Sequence, residues 1–283
     1  MKKLYSLIAF LLTIVGCARP EYLIFSSDRD GDSNIYKIKS DGSAIEQLTG
    51  DKSEQWSPRV MNKHEISFLA VEEGKFKRYL LHLKTKERQE IRQPQACTLD
   101  DKNTIPSPNG KWQAYVCNGD IYVSDMTFEN TRNLTQNINS KDFKPCWFPD
   151  SQKLAFTSNR DGNLEIYTIS IDGTGLKNIS GSPHNEEAPD VSPDGRKILY
   201  SSNRDGNSNQ EIYVQDLQSG ELENISQSNK WELLATWSKN GKYIYYGSNQ
   251  DGNWEIYVYD LKSKQAKNIT NSQSFDGDPQ VLK

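Results

Sequence analysis

The feature that most constrains this chain is a repeat of 43 to 46 residues that occurs six times along its length. Four copies contain a turn such as Asn-Arg-Asp-Gly-Asn at residues 159–163, followed by a strand-like segment such as Glu-Ile-Tyr at 165–167. One tyrosine per copy marks spacings of 43, 43, 45, 46 and 44 residues, at Tyr36, Tyr79, Tyr122, Tyr167, Tyr213 and Tyr257. A period in this range, filled with short alternating segments, is typical of a β-propeller with one blade per repeat.

Each repeat also contains the segments of a four-stranded sheet. Residues 197–202 and 211–216 are rich in β-branched and aromatic residues and flank an Asp-Gly turn, which is a hairpin signal. A short segment such as Leu-Glu-Asn-Ile-Ser at 222–226 follows, and a segment such as Cys-Trp-Phe-Pro-Asp at 146–150 precedes the hairpin. The sequence therefore predicts an all-β, six-bladed propeller with four strands in each blade.

The two ends of the chain predict how the ring closes. The first copy begins at residue 22 without a preceding proline-containing segment, whereas residues 276–283 form such a segment with nothing after it. We expect this C-terminal strand to complete blade 1 as its innermost strand.

The N-terminus resembles a bacterial secretion signal. Residues 1–17 contain two lysines, an apolar run from Leu4 to Val15, and then Gly16-Cys17, a layout similar to the lipobox. We predict a signal peptide at 1–16, a tether at 17–21 that is lipidated on Cys17, and a propeller over 22–283. The alternative is an ordinary signal peptide that is cleaved nearby. Lipidation would hold the protein on a membrane of the bacterial cell envelope, facing the periplasm or at the outer membrane.

Charge and cysteine content agree with an exported protein. The formal net charge is −4, which argues against a nucleic-acid partner. Cys97 and Cys117 lie in connections that emerge on one face of a four-stranded meander, so a disulfide between them is geometrically possible in an oxidising compartment. Cys146 is then left over, and we expect it to be a buried thiol.

The repeat with its Trp-Ser-Pro-Asp-Gly, Ser-Asn-Arg-Asp-Gly-Asn, Glu-Ile-Tyr and Asn-Ile-Thr elements resembles the TolB-type β-propeller repeat. The likeness covers nearly all of residues 22–283, strongly in blades 1, 4, 5 and 6 and weakly in blades 2 and 3. TolB is a periplasmic protein whose propeller binds a peptidoglycan-associated lipoprotein and which has an extra N-terminal domain. This resemblance implies a TolB-like envelope lipoprotein, although the extra domain has no counterpart in this sequence.

No motif in the sequence predicts catalysis, a cofactor or a metal. The hydrolase motif G-x-S-x-G and the zinc motif H-E-x-x-H do not occur, and His64, His82 and His184 lie on separate predicted elements. The carboxylates Asp28, Asp30 and Asp32 have a spacing that suits calcium, but the recurrence of the same turn favours a simple hairpin. Four Asn-x-Ser/Thr sequons, at Asn133, Asn178, Asn224 and Asn268, recur at one position of the repeat and are interpreted as repeat residues.

One set of acidic residues recurs just before the predicted innermost strands. We predict one carboxylate per blade, forming a ring around one mouth of the central channel: Asp51, Asp101, Asp142, Glu186, Glu232 and Asp276. Six like charges in a funnel favour a cation or a basic segment of a partner. The alternative is that the carboxylates pair with the turn arginines Arg29, Arg160 and Arg204 or cap local backbone.

Aromatic residues near this predicted ring suggest a protein-binding rim. Phe143, Trp231 and Phe275 lie in the same connections, with packing between blades as the alternative. We therefore predict a monomeric, non-catalytic scaffold that binds an envelope protein or peptide at one face of the central channel. The alternative is an enzyme, a saccharide lyase or hydrolase or a peptidase, with its site at the channel mouth. Arginine-paired carboxylates on a broad rim would favour the scaffold, whereas a deep pocket with convergent histidine, arginine and carboxylate groups would favour the enzyme.

Overall fold

The computed structural model describes residues 21–50, 53–92, 94, 99, 103–136, 139–206 and 209–282. Every regular element among these residues is a β-strand, and the strands form six four-stranded antiparallel sheets. The sheets follow one another around a ring, and we number them as blades 1 to 6. This arrangement confirms the predicted all-β, six-bladed propeller with four strands in each blade.

The strands are numbered in chain order. Blade 1 contains β1 (Tyr22–Ser27), β2 (Asn34–Lys39) and β3 (Glu46–Gln47), with β24 (Asp276–Val281) as its innermost strand. Blade 2 contains β4 (Gln55–Val60), β5 (Glu65–Glu72), β6 (Lys75–His82) and β7 (Arg88–Glu90). Blade 3 contains β8 (Ile105–Pro106), β9 (Trp112–Cys117), β10 (Asp120–Asp125) and β11 (Thr131–Asn133). Blade 4 contains β12 (Asp142–Trp147), β13 (Lys153–Ser158), β14 (Glu165–Ser170) and β15 (Lys177–Asn178). Blade 5 contains β16 (Glu186–Val191), β17 (Lys197–Ser202), β18 (Glu211–Asp216) and β19 (Leu222–Asn224). Blade 6 contains β20 (Glu232–Trp237), β21 (Tyr243–Ser248), β22 (Glu255–Asp260) and β23 (Gln265–Asn268).

The C-terminal strand closes the ring. Strand β24 pairs antiparallel with β1, with Leu23 opposite Val281 and Ser27 opposite Asp276. The two ends of the propeller are therefore joined by backbone hydrogen bonds within blade 1, which confirms the predicted closure.

The hairpin turns divide the propeller into two faces. We call the face that carries the turns between the second and third strands of each blade, such as residues 28–33, the upper face, and the opposite one the lower face. At the turn between β13 and β14, Gly162 has φ of 104°, and the Gly162 amide donates to the Asn159 carbonyl. A side chain at this φ would strain the backbone, which explains the Asp-Gly sequence of these turns.

A β-bulge recurs in the innermost strands. One residue has positive φ in each of five of them: Ser57 at 53°, Lys144 at 50°, Ala188 at 57°, Leu234 at 54° and Asp278 at 55°. The pairing register shifts at the same points. Because the bulge is shared, the residues two positions before it are equivalent: Gln55, Asp142, Glu186, Glu232 and Asp276.

The hydrophobic core lies between the blades. One cluster joins blades 3 and 4 through Val116, Ile121, Leu154 and Phe156. Similar clusters join blades 1 and 2, 4 and 5, 5 and 6, and 6 and 1. Since the sheets bury both faces against their neighbours, the surfaces left for function are the loops of the two faces and the rim of the ring.

Candidate functional site

Three of the predicted ring carboxylates form ion pairs with the turn arginines of their own blades. The guanidinium Nη2 atoms lie within 3.0 Å of a carboxylate oxygen in each pair: Arg29 and Asp276 at 2.8 Å, Arg160 and Asp142 at 2.9 Å, and Arg204 and Glu186 at 3.0 Å. The Arg29 partner is 247 residues away in sequence, because β24 belongs to blade 1. The pairs correspond to the alternative interpretation of the acidic ring.

Each paired arginine belongs to a recurring local arrangement, which we call the arginine unit. In blade 4, Arg160 Nε donates to Ser158 Oγ at 2.8 Å, and the guanidinium lies 5.6 Å from the Phe156 ring centroid and 4.7 Å from that of Tyr167. Blades 1 and 5 repeat this geometry with Arg29 and Arg204. An arginine unit thus consists of a carboxylate, a serine, two aromatic rings and the arginine that they hold.

The ring carboxylates that the structure describes are buried. Asp142, Glu186, Glu232 and Asp276 each have 0% of their surface exposed. In Asp276, burial raises the pKa of the carboxyl above its ordinary value, and the hydrogen bonds from Ser27 and Arg29 lower it by less. These four carboxylates are therefore enclosed at the upper ends of the innermost strands.

The innermost strand of blade 2, β4, has a different register from the one that we obtained by aligning the repeats in the sequence. We assigned Asp51 to the ring by counting from Trp56, but the bulge at Ser57 makes Gln55 the residue equivalent to Asp142. Asp51 and Asp101 themselves lie outside the described residues. In blade 2 the ring position is therefore occupied by an amide, which is 0% exposed.

Glu232 in blade 6 differs from the other described ring carboxylates because its turn has no arginine. Gln250 occupies the position of Arg160, and its backbone amide donates to Ser248 Oγ at 3.2 Å as the arginine amides do in their own units. Glu232 Oε1 accepts from Ser228 Oγ at 2.7 Å and from Ser248 Oγ at 3.0 Å. Burial raises the pKa of the Glu232 carboxyl to about 7, despite these hydrogen bonds.

Exposed aromatic side chains lie on the upper face of three consecutive blades. Trp231 of the connection into blade 6 is 37% exposed, Phe275 of the connection into β24 is 40% exposed, and Phe76 on β6 of blade 2 is 60% exposed. Phe76 makes an edge-to-face contact with Trp56, with ring centroids 5.8 Å apart. We call Trp56, Phe76, Trp231 and Phe275 the aromatic patch.

The structure corrects our list of aromatic candidates in two places. Phe143, which we expected on the same rim, is half-buried. Phe76 was missed, and the signal for it was an apolar residue between Lys75 and Lys77 beside a Gly turn. Among the described residues, the other exposed large apolar side chains lie on the lower face: Tyr22, Ile45, Met126 and Leu176.

The turn aspartates that suggested calcium accept hydrogen bonds within the protein. Asp30 accepts from the Tyr36 hydroxyl, and Asp28 Oδ1 accepts from the Phe275 amide at 2.8 Å. Asp161 and Asp251 accept from the equivalent tyrosines of blades 4 and 6. This shared role agrees with the hairpin interpretation. The described part of the chain contains no cluster of three or more His, Cys, Asp or Glu residues that could hold a metal ion.

The sequon asparagines also have structural roles. Asn178 Nδ2 donates to Glu165 Oε2 at 2.7 Å, and Asn224 Nδ2 donates to Glu211 Oε2 at 2.6 Å. These bonds tie the outermost strand of each blade to the third strand, which supports their interpretation as repeat residues.

One histidine and one cysteine lie at the upper face: His184 in the connection into blade 5, where its amide donates to Ser182 Oγ at 3.1 Å, and Cys117 at the end of β9. Cys117 is disulfide-bonded, whereas Cys17 and Cys97 lie outside the described residues, so the pairing of Cys97 with Cys117 stays a prediction. Cys146 is a free thiol, and burial raises its pKa. His64 and His82, which we placed on separate elements, have stacked rings with centroids 6.2 Å apart.

A cleft of about 380 Å³ lies between blades 4 and 5 on the lower face. Its described lining includes Phe148, Lys153, Lys177 and Asp194 but no histidine, cysteine or serine. Within the described ranges, no helix has the length and apolar character needed to cross a membrane.

Comparison with known proteins identifies the family. A model described as the TolB beta propeller domain matches residues 53–209 and 104–282, most of the chain. The chain belongs to the TolB beta-propeller family. The match confirms the resemblance that the repeat motifs predicted, and it extends through the weakly conforming blades 2 and 3.

Related sequences and structures agree with this assignment. The Protein TolB homolog of Chlorobium luteolum is 24% identical over 154 residues, covering 54% of this chain and 35% of the relative. TolB from Acinetobacter baumannii superposes with a TM-score of 0.76 at 18% identity, covering 93% of this chain and 66% of that one. A putative TolB from Agrobacterium tumefaciens gives 0.68 at 16% identity, covering 93% and 98% of the two chains. The chain thus spans about a third of the length of its curated TolB relative.

The TolB-type fold is also shared with enzymes. An oligogalacturonate lyase in complex with manganese superposes with a TM-score of 0.59 at 15% identity, covering 87% of this chain and 73% of that one. At this identity the likeness shows the fold alone, so function must be argued from the residues of the faces.

Proposed function

We propose that this TolB-type propeller is a non-catalytic binding protein of the bacterial cell envelope that holds a protein partner or peptide on its upper face. In this proposal a lipid on Cys17 attaches the protein, as a monomer, to a membrane. The single observation that carries the binding role is the aromatic patch, which places three exposed aromatic side chains on one face across blades 6, 1 and 2.

Aromatic side chains of this kind are suited to protein recognition. They bury a large apolar area with few rotatable bonds, and they are enriched among residues that dominate binding energy. Phe275 is held in place, because its ring packs over Gly277, where a Cβ atom would lie 2.6 Å from Phe275 Cζ. Trp231 is fixed at its backbone by a 3.0 Å bond from its amide to Asn249 Oδ1. The patch is therefore partly ordered before a partner arrives, which lowers the entropic cost of binding.

The pairing of the ring carboxylates supports a scaffold over the alternative of an enzyme at the channel mouth. Asp142, Glu186 and Asp276 each make an ion pair with an arginine of their own blade. A general acid or base must reach the substrate, whereas these groups have 0% of their surface exposed.

The test is a crosslinking pull-down in cells followed by mass spectrometry. We expect the wild-type protein to capture a specific envelope protein. The double variant Trp231→Ser and Phe275→Ser should capture at least tenfold less of that protein. The matched control is Leu176→Ser, because Leu176 is 47% exposed but lies on the lower face. Equal capture by the wild type and the patch variant, both still folded, would reject the upper face as the binding surface.

A further inference from the structure

The arginine units of blades 1, 4 and 5 show what surrounds a guanidinium in this fold. In each of them a buried carboxylate accepts from the arginine, and the guanidinium lies within 6 Å of the centroids of two aromatic rings. The arginine comes from the same blade, at the second residue of the upper turn. The geometry of these three units can therefore be compared directly with that of the corresponding residues in blade 6.

Blade 6 keeps this arrangement without the arginine. The Tyr246 and Tyr257 rings have centroids 5.8 Å apart and an interplanar angle of 25°, close to the 6.0 Å and 28° of Phe156 and Tyr167 beneath Arg160. Ser248 donates to Glu232 Oε1 at 3.0 Å, as Ser202 donates to Glu186 Oε1 at 3.0 Å. The carboxylate, the serine and both rings are thus in the positions that hold a guanidinium elsewhere in the same protein.

Glu232 has no cation to balance its charge among the residues that the structure describes. Its Oε1 is bound by two serine hydroxyls, and its buried Oε2 has no hydrogen-bond partner, as is also true of Asp142 Oδ2 and Glu186 Oε2 in the arginine units. The nearby charged group that affects the Glu232 pKa is Glu211 of blade 5, which is also acidic and raises it. Burial and the charge of Glu232 in turn raise the pKa of Tyr246. A buried carboxylate without a counter-ion is unfavourable, so a cation that reached it would be held strongly.

The residue at the position of the missing arginine is Gln250, which is exposed. Glutamine has three side-chain torsions and can turn aside into solvent at a small cost. Trp231 of the aromatic patch directly precedes Glu232 in the chain and is itself exposed, so the site lies beside the proposed docking surface.

We propose that the upper face of blade 6 binds the guanidinium group of an arginine side chain of the partner, which pairs with Glu232 and stacks on Tyr246 and Tyr257. This inference rests on the proposed function, since it gives the chemistry of the segment that the aromatic patch holds. Arginine suits the site better than lysine, because in the arginine units its planar group lies against two rings while Nη2 donates to the carboxylate and Nε donates to the serine.

The test is titration calorimetry of the full-length protein at pH 8 with N-acetyl-arginine-N-methylamide as the probe. The citrulline analogue is the neutral probe of the same shape. We expect the arginine probe to bind at least tenfold more tightly than the citrulline probe. Binding that does not distinguish the two would overturn the proposal.

Three variants separate this site from non-specific attraction to an acidic protein. Gln250→Arg completes an arginine unit inside blade 6, so it should abolish binding of the arginine probe while raising the melting temperature. Gln250→Met leaves the blade without an arginine and should keep the binding within twofold. Glu232→Gln should lower the affinity for the arginine probe by at least tenfold. Unchanged binding in Gln250→Arg would contradict the proposal.

The pH dependence gives a second readout. A guanidinium binds the ionised carboxylate, and the Glu232 pKa of about 7 means that most of this group is protonated at pH 6. Affinity for the arginine probe should therefore fall about tenfold from pH 8 to pH 6. A flat profile would contradict the role of Glu232.

The same variants distinguish failure of this inference from failure of the proposed function. If Gln250→Arg still captures a partner in cells that the Trp231→Ser and Phe275→Ser variant loses, the upper face binds but without arginine at blade 6. If no partner is captured at all, the proposed function fails, and the probe titration alone decides whether blade 6 binds a guanidinium.

Discussion

At the scale of single residues, the same carboxylate position has different properties in different blades. In blade 4, Asp142 pairs with Arg160, whereas in blade 6, Glu232 is balanced only by serine hydroxyls among the described residues. The difference arises from one residue of the upper turn, Gln250 in place of an arginine. Both carboxylates have 0% exposure, so neither is stabilised by water. Without an arginine beside it, the Glu232 carboxyl therefore holds its proton to a higher pH than an exposed carboxyl does.

We predict that Glu232→Gln stabilises the protein at pH 8 but not at pH 4. The carboxyl ionises near its ordinary value of 4.5 in the unfolded chain and near 7 in the folded protein. Between these values the folded state holds a proton that the unfolded state has released, so stability falls as the pH rises. The shift corresponds to about 3 kcal/mol. Urea unfolding of both proteins at the two pH values measures this difference.

Glu186→Gln is the matched control for that experiment, because its carboxylate pairs with Arg204. Neutralising it leaves a partly buried guanidinium without a counter-ion and should destabilise the protein at pH 8. If Glu232→Gln and Glu186→Gln changed the free energy of unfolding at pH 8 in the same direction, the two carboxylates would not differ as described.

A further prediction concerns the paired units. Arg160→Met leaves Asp142 buried and alone, so it should lower the free energy of unfolding by about 3–5 kcal/mol. Adding Asp142→Leu to it should recover much of this loss, since the uncompensated charge is removed. The control is Arg196→Met, an exposed lower-face substitution expected to change stability by less than about 0.5 kcal/mol. A double variant as unstable as Arg160→Met would show that the charge is not the cause.

At the scale of strands, the bulge in the innermost strands determines which residues occupy the upper end of the channel. In five strands it places a residue with positive φ two positions after the ring position. The bulge aligns Gln55 with Asp142, and the rest of each innermost strand runs from the bulge toward the lower face. A one-residue change in register would exchange the buried and exposed sides of these strands.

Strand β24 has the additional task of joining the chain ends. We predict that deletion of residues 276–283 lowers the melting temperature by more than 10 °C, because β1 loses its pairing partner and Arg29 loses Asp276. Deletion of residue 283 alone should have little effect. Thermal unfolding followed by circular dichroism measures both, and equal melting temperatures for wild type and the larger deletion would contradict the role of β24 in closure.

At the scale of the whole molecule, stability and binding are separated in space. The apolar clusters lie between blades and, among the described residues, link blades 1 and 2, 3 and 4, 4 and 5, 5 and 6, and 6 and 1. The aromatic patch lies outside these clusters, on the upper face of blades 6, 1 and 2. Substitutions in the patch should therefore change binding in the pull-down with little effect on the melting temperature.

Much of the fold was predictable from the sequence, because repeat period, alternation of apolar residues and turn dipeptides are local signals. The positions of Asp142, Glu186, Glu232 and Asp276 at the starts of innermost strands followed from the same period. Blade 2 was the exception in register. We aligned Trp56 with Trp147, whereas the shared bulge aligns Trp56 with Phe143 and Val60 with Trp147, so Asp51 was placed where the structure has Gln55.

The sequence by itself determined the propeller, its four-stranded blades and its closure, since each depends on patterns within one repeat or on the two chain ends. Only the tertiary structure decided which carboxylates are paired and which surface is open. Arg29 meets Asp276 across 247 residues, and Phe76 joins the same face as Trp231 and Phe275 only when the ring is formed. Burial and charge pairing depend on distances between segments that are remote in sequence, and these distances exist only in the assembled ring.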